Sequence, residues 1–123
     1  VVEALVQQPV TAADFGLYFR NQPGDQQGIY TFSLHPGGTW GVYVYDNKTA
    51  VQTVIAAGKT IIDPHAQLYL TVVATGPDFT LYINRQKVGH VRDKTYRTGT
   101  VGIAVDAGGT LIINGISLYS IAR

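Results

Sequence analysis

From Asp78 to Gly89 the chain reads Asp-Phe-Thr-Leu-Tyr-Ile-Asn-Arg-Gln-Lys-Val-Gly, with apolar residues at alternate positions leading into a short polar turn. Alternation with a period of two marks an extended strand that buries one face, and two such runs about a short turn make a hairpin. The rest of the chain repeats this grammar. Strands are predicted at Val1–Gln7, Phe15–Arg20, Gly28–Leu34, Trp40–Tyr45, Val51–Ala56, Leu68–Ala74, Phe79–Ile83, Val88–Val91, Val101–Val105 and Leu111–Ile121. Turn residues separate almost all of them: Gln22-Pro23-Gly24-Asp25, Pro36-Gly37-Gly38, Asp46-Asn47-Lys48, Gly76-Pro77-Asp78 and Ala107-Gly108-Gly109. No intervening segment carries a convincing helical period, so the pattern predicts one all-β domain over residues 1–123, an antiparallel β-sandwich.

Alternation divides each strand into two faces. Phe15, Leu17 and Phe19 fall on one side, matched by Tyr30, Phe32 and Leu34, by Trp40, Val42 and Val44, by Leu68, Leu70 and Val72, and by Phe79, Leu81 and Ile83. These form the predicted core. Trp40 shares the phase of Val42 and Val44 and is placed inside, although a slip of one residue would turn it outward as a stacking residue. The opposite faces carry Tyr18, Arg20, Thr31, Ser33, His35, Tyr43, Tyr45, Tyr69, Thr71, Thr80 and Tyr82. Tyrosines stack on the C–H faces of a sugar while hydroxyls and arginine supply directed hydrogen bonds, so this face suits a sugar or peptide platform. It equally suits an ordinary solvent-facing strand, since Tyr and Thr favour β structure.

Composition narrows the alternatives. With 46% hydrophobic and 14% charged residues the chain can bury a single core. A net charge of +1 with scattered Lys and Arg excludes the basic stripe of a nucleic-acid binder, and no apolar run is long enough to insert in a membrane. There is no cysteine, hence no disulfide or thiolate metal site, which leaves the compartment open. The chain begins at Val1 without Met, which reads as a processed, excised or partly observed chain.

Four segments together resemble the concanavalin A-like lectin/glucanase jelly rolls, particularly the laminin-G-like and keto-disaccharide-hydrolase-like branches. They are Phe15-Gly16-Leu17-Tyr18-Phe19-Arg20; Tyr30-Thr31-Phe32-Ser33-Leu34 followed by Gly37-Gly38-Thr39-Trp40; Leu81-Tyr82-Ile83-Asn84 with Val88; and Gly99-Thr100-Val101-Gly102-Ile103 leading to Ile112-Ile113-Asn114-Gly115-Ile116-Ser117-Leu118-Tyr119. The resemblance implies a jelly roll with further strands before the segment matched by Val1–Gln7. The chain would then be part of a longer protein or a smaller variant, and a missing strand would leave an edge open to a partner or a second copy. The family commonly has Gly after the asparagine matched by Asn84. Arg85 stands there instead, so a longer or differently shaped turn is expected.

Catalytic chemistry finds little support. Glycoside hydrolysis ordinarily needs two facing carboxyl groups, and Glu3 is the single glutamate; the Glu-x-Asp pair of the glucanase members is missing. Asp14, Asp25, Asp46, Asp63 and Asp78 sit in turn-like contexts, with Asp106, at a strand end, the exception. His35, His65 and His90 are widely spaced, Ser33, Ser117 and Ser120 lack a nucleophile-elbow sequence, and no compact Asp/Asn loop forms a strong calcium motif, so no cofactor is expected, with calcium at the sandwich rim, as the resemblance to jelly rolls implies, kept as the alternative. The reading is a non-catalytic, lectin-like accessory module. Its expected ligand is carbohydrate or an extracellular protein, and its expected location extracytoplasmic or at the cell surface. Tyr18, Arg20, Ser33, Tyr43 and Tyr82 are the expected platform. Two alternatives stay open: a structural or interaction module of a surface assembly or membrane receptor, pairing through edge strands, and a glycoside-active enzyme completed by a further segment.

Overall fold

A computed structural model describes residues 2–7, 14–23, 28–35, 37–61, 67–105 and 112–118. Within these, ten strands follow in chain order: β1 (Val2–Gln7), β2 (Phe15–Asn21), β3 (Ile29–Leu34), β4 (Thr39–Asp46), β5 (Val51–Lys59), β6 (Gln67–Thr75), β7 (Asp78–Ile83), β8 (Gln86–Arg92), β9 (Thr100–Val105) and β10 (Ile112–Leu118). Each falls on a predicted strand. They form two antiparallel five-stranded sheets, β10-β1-β6-β7-β8 and β5-β4-β3-β2-β9. Within each sheet the meanders β2 to β5 and β6 to β8 need only local connections, whereas the chain crosses between sheets after β1, β5, β8 and β9. Of the two segments that could offer an open edge, Val1–Gln7 and Leu111–Ile121, β1 is paired on both sides, whereas β10 pairs with β1 and stands at the end of its sheet among the described strands.

The core lies between the sheets and consists of the predicted alternating set, Trp40 included. Leu17, Val42, Leu68, Val72, Phe79 and Leu81 are fully buried. Phe19 stacks on Tyr30 at 5.2 Å, and Phe79 meets both edge-on, at 5.1 and 4.8 Å, binding the two sheets through one aromatic cluster. Trp40 meets Phe32 edge-on at 6.1 Å.

Tyr96 joins this core from the segment crossing from β8 to β9. The Tyr96 hydroxyl donates to Tyr45 O and accepts from Asn47 N, while its carbonyl accepts from Arg20 Nη1 at 2.9 Å. The Tyr30 phenol donates to Asp93 Oδ1, which also accepts from Thr95 N, and accepts in turn from Tyr96 N. Burial, followed by the Asp93 hydrogen bond, pushes the Tyr30 hydroxyl up to about 12. Burial alone would raise the Asp93 carboxyl, but the hydrogen bonds from Tyr30 and Thr95 outweigh it and hold the group below its ordinary value.

The β7–β8 turn differs from expectation. Ile83 pairs with Gln86, so the turn has two residues, Asn84 and Arg85, at φ 52° and 65°. Both are left-handed, as a tight hairpin with the right twist requires. Neighbouring Tyr69 compensates for the missing glycine: Asn84 N donates to its carbonyl, its own N donates to Asn84 Oδ1, and the Arg85 guanidinium lies 4.5 Å over its ring.

Candidate functional site

Directly opposed residues of an antiparallel pair point to the same face, so the strand register draws the outer surface of the β5-β4-β3-β2-β9 sheet. One row crosses all five strands: Gly102, Tyr18, Thr31, Tyr43, Val54. The next runs Gly16, Ser33, Gly41, Ala57. Two tyrosines therefore flank a hydroxyl, beside a row of small residues with a second hydroxyl at its centre. The Tyr18 ring lies over Gly102, where a Cβ would come within 2.2 Å of it. The Tyr43 ring lies over Gly41 of its own strand, where a Cβ would come within 2.9 Å of the hydroxyl. Glycine at these two positions lets the Tyr18 ring lie toward β9 and the Tyr43 ring lie across Gly41 of the small row, beside Ser33 and toward His35.

At the end of this surface Asp14, just before β2, and His35, just after β3, complete a polar chain. Asp14 Oδ2 lies 2.6 Å from His35 Nδ1, and His35 Nε2 lies 3.2 Å from the Tyr43 hydroxyl. The carboxylate fixes the ring, and the ring fixes the direction of the phenol. His35 is legible in the sequence only as a member of the polar face, and Asp14 not as a site residue at all. Asp14 has the look of a turn residue, and only the pairing of β2 with β3 brings the two together. Val54, 56% exposed, extends the tyrosine row with an apolar edge.

Of the five platform residues expected from sequence, Tyr18, Ser33 and Tyr43 share this face. Arg20 and Tyr82 do not. The register of β2 against β9 breaks between Tyr18 and Asn21, and Arg20 adopts φ 51°. That irregularity turns the Arg20 side chain inward, where its guanidinium lies 4.8 Å over the Phe79 ring and donates to Tyr96 O, burial lowering its pKa. Tyr82 belongs to β7 and pairs with Thr71 and Lys87 on the outer face of the other sheet. His90 and Arg92 face Asp78, each at 3.5 Å, and Asp46 accepts from Lys48 N in its turn. Among the described residues no three His, Asp or Glu side chains converge. Asp25, Asp63, His65, Asp106, Ser120 and the Gly108-Gly109 turn lie outside the described residues, as do the side chains of Glu3 and Ser117.

No protein-family model and no curated protein matches the chain. Solved structures do. A carbohydrate-binding module, CBM66 from Bacillus subtilis, superposes with a TM-score of 0.79 at 20% identity over 94% of this chain and 71% of its own. Sheep galectin-11 in complex with glycerol follows at 0.69 and 10% identity, covering 94% and 86%, and the Caenorhabditis elegans galectin LEC-6 at 0.64 and 14%, covering 95% and 81%. At these identities the likeness establishes architecture: the chain has the jelly-roll β-sandwich fold of the concanavalin A-like lectins.

Proposed function

We propose that the protein is a non-catalytic carbohydrate-binding module that works outside the cytoplasm and holds its ligand on the outer face of the β5-β4-β3-β2-β9 sheet. The observation that carries this reading is the row Tyr18–Thr31–Tyr43 beside Ser33. The aromatic rings on either side of Thr31 offer apolar contact to sugar C–H groups, and the hydroxyls of Tyr18, Thr31, Ser33 and Tyr43 offer both donors and acceptors to sugar hydroxyls. His35 and Asp14 hold the Tyr43 phenol in place, so less of its freedom is lost on binding. The likeness to a carbohydrate-binding module and to galectins supports the same ligand class.

A glycan array probed with the purified chain and with a Tyr18→Ala/Tyr43→Ala variant tests this reading. Selective glycan signal in the parent, lost in the variant with its melting transition preserved, supports the face. Glycan binding that survives the double substitution removes it.

A further inference from the structure

β5 and β8 are edge strands of opposite sheets, and they lie beside each other along one side of the sandwich. The inward-facing residue opposite Trp40 on β5 is Gly58, and the one opposite Leu81 on β8 is Gly89. The Trp40 indole occupies the space their side chains would take: a Cβ would come within 2.6 Å of Cζ2 at Gly58 and 2.7 Å of Cη2 at Gly89. A groove of about 540 Å³ opens there between the two strands. Ala56, Val88 and the indole edge give it a small apolar floor, while Lys59 and Lys87 line it with cations and His90 adds an imidazole. His90 faces Asp78, but neither lysine has a carboxylate partner among the described residues.

Two features narrow the occupant. A strand-adding peptide needs an unbroken ladder of free backbone groups. Both edges are interrupted beside the groove, because Ile55 is an extra residue between the pairs Val42–Ala56 and Tyr43–Val54, and Val88 one between Leu81–Gly89 and Tyr82–Lys87. Such bulges oppose strand addition. The cationic lining, in turn, favours an anion over a neutral ligand.

We propose that this groove is a second binding site, distinct from the tyrosine face, for an acidic oligosaccharide whose carboxylate or sulfate groups pair with Lys59 and Lys87. The sugar ring packs on the small floor over Gly58, Gly89 and the indole edge. The proposal does not depend on the tyrosine face binding anything.

Trp40 is the single tryptophan, so its fluorescence reports on the groove, and the backbone amide signals of Gly58 and Gly89 localise the contact. The chain would be titrated with trigalacturonate as the carboxylate probe, with a heparin-derived tetrasaccharide as the sulfate probe, and with neutral galactotriose. At least one acidic probe is expected to shift both glycine signals and the Trp40 emission, with galactotriose silent there. Affinity should drop about tenfold or more in a Lys59→Ala/Lys87→Ala variant, a loss of about 1.4 kcal/mol or more, and weaken with added salt. Both lysines are exposed, so the variant keeps its fold. Silence toward both acidic probes, unchanged affinity in the variant, or shifts confined to the tyrosine face would each overturn the proposal.

Discussion

The Tyr30 phenol donates a 2.5 Å hydrogen bond to Asp93 Oδ1, tying a core strand to the segment that crosses between the sheets. Stability is therefore expected to fall at both pH extremes. Asp93 has its carboxyl pKa lowered by the fold, so the stability it contributes is present above the unfolded value near 3.8 and is lost as pH falls through the lower folded value. Tyr30 runs the other way. Its neutral form is favoured in the fold, so its contribution is full below 10.0 and is lost as pH rises from there toward about 12. Melting curves of the parent and Tyr30→Phe across both windows check this. The variant should be less stable at neutral pH by about 1–3 kcal/mol, because Tyr96 N loses its acceptor and Asp93 a donor, and the gap should narrow in strong alkali.

Arg20 and Tyr18 are two residues apart and should behave oppositely. Arg20→Ala removes the cation over Phe79 and the donor to Tyr96 O, and is expected to lower stability by about 1–3 kcal/mol while sparing glycan binding. Tyr18→Ala should weaken glycan binding with little loss of stability. Binding isotherms and chemical denaturation on both variants separate these outcomes, with Phe32→Ala, about 3–5 kcal/mol destabilised by its core cavity, as the stability control.

Adding one methyl group beside Trp40 should be felt across the sandwich. Gly58→Ala and Gly89→Ala each press a Cβ into the indole from a different sheet, and each is expected to cost about 1–3 kcal/mol through overpacking. Thermal unfolding measures the loss, and a shift in Trp40 emission reports the displaced ring. A variant as stable as the parent, with unchanged emission, would contradict the packing described.

The hairpin turn at Asn84-Arg85 sets backbone strain against a cation–π contact. Glycine at Arg85 should relieve about 1 kcal/mol of left-handed strain. In the parent that gain is offset by loss of the guanidinium over Tyr69, worth about 0.5–1 kcal/mol at an exposed site. Arg85→Gly is thus expected to be near neutral in the parent and stabilising in a Tyr69→Ala background, a difference that a double-mutant cycle reads directly.

Sequence alone determined the strands and, Tyr96 apart, the core of this protein, because alternation is a local property: a residue's neighbours two positions away settle which side of a strand it takes. Phe15, Leu17 and Phe19 face inward for that reason, and so does Trp40. Locality also marks the limit. Arg20 shares the phase of Tyr18 on paper, yet a break in pairing with β9 turns it inward onto Phe79. Tyr82 alternates as Tyr43 does but lies on the other sheet, because sheet membership is decided by long-range pairing. The same pairing brings Asp14 to His35 and His35 to Tyr43, and closes the groove between β5 and β8 around Trp40. Which alternating faces meet, and which side chains they bring together, is decided by hydrogen bonds between strands far apart in the chain, and those exist only once both sheets have formed.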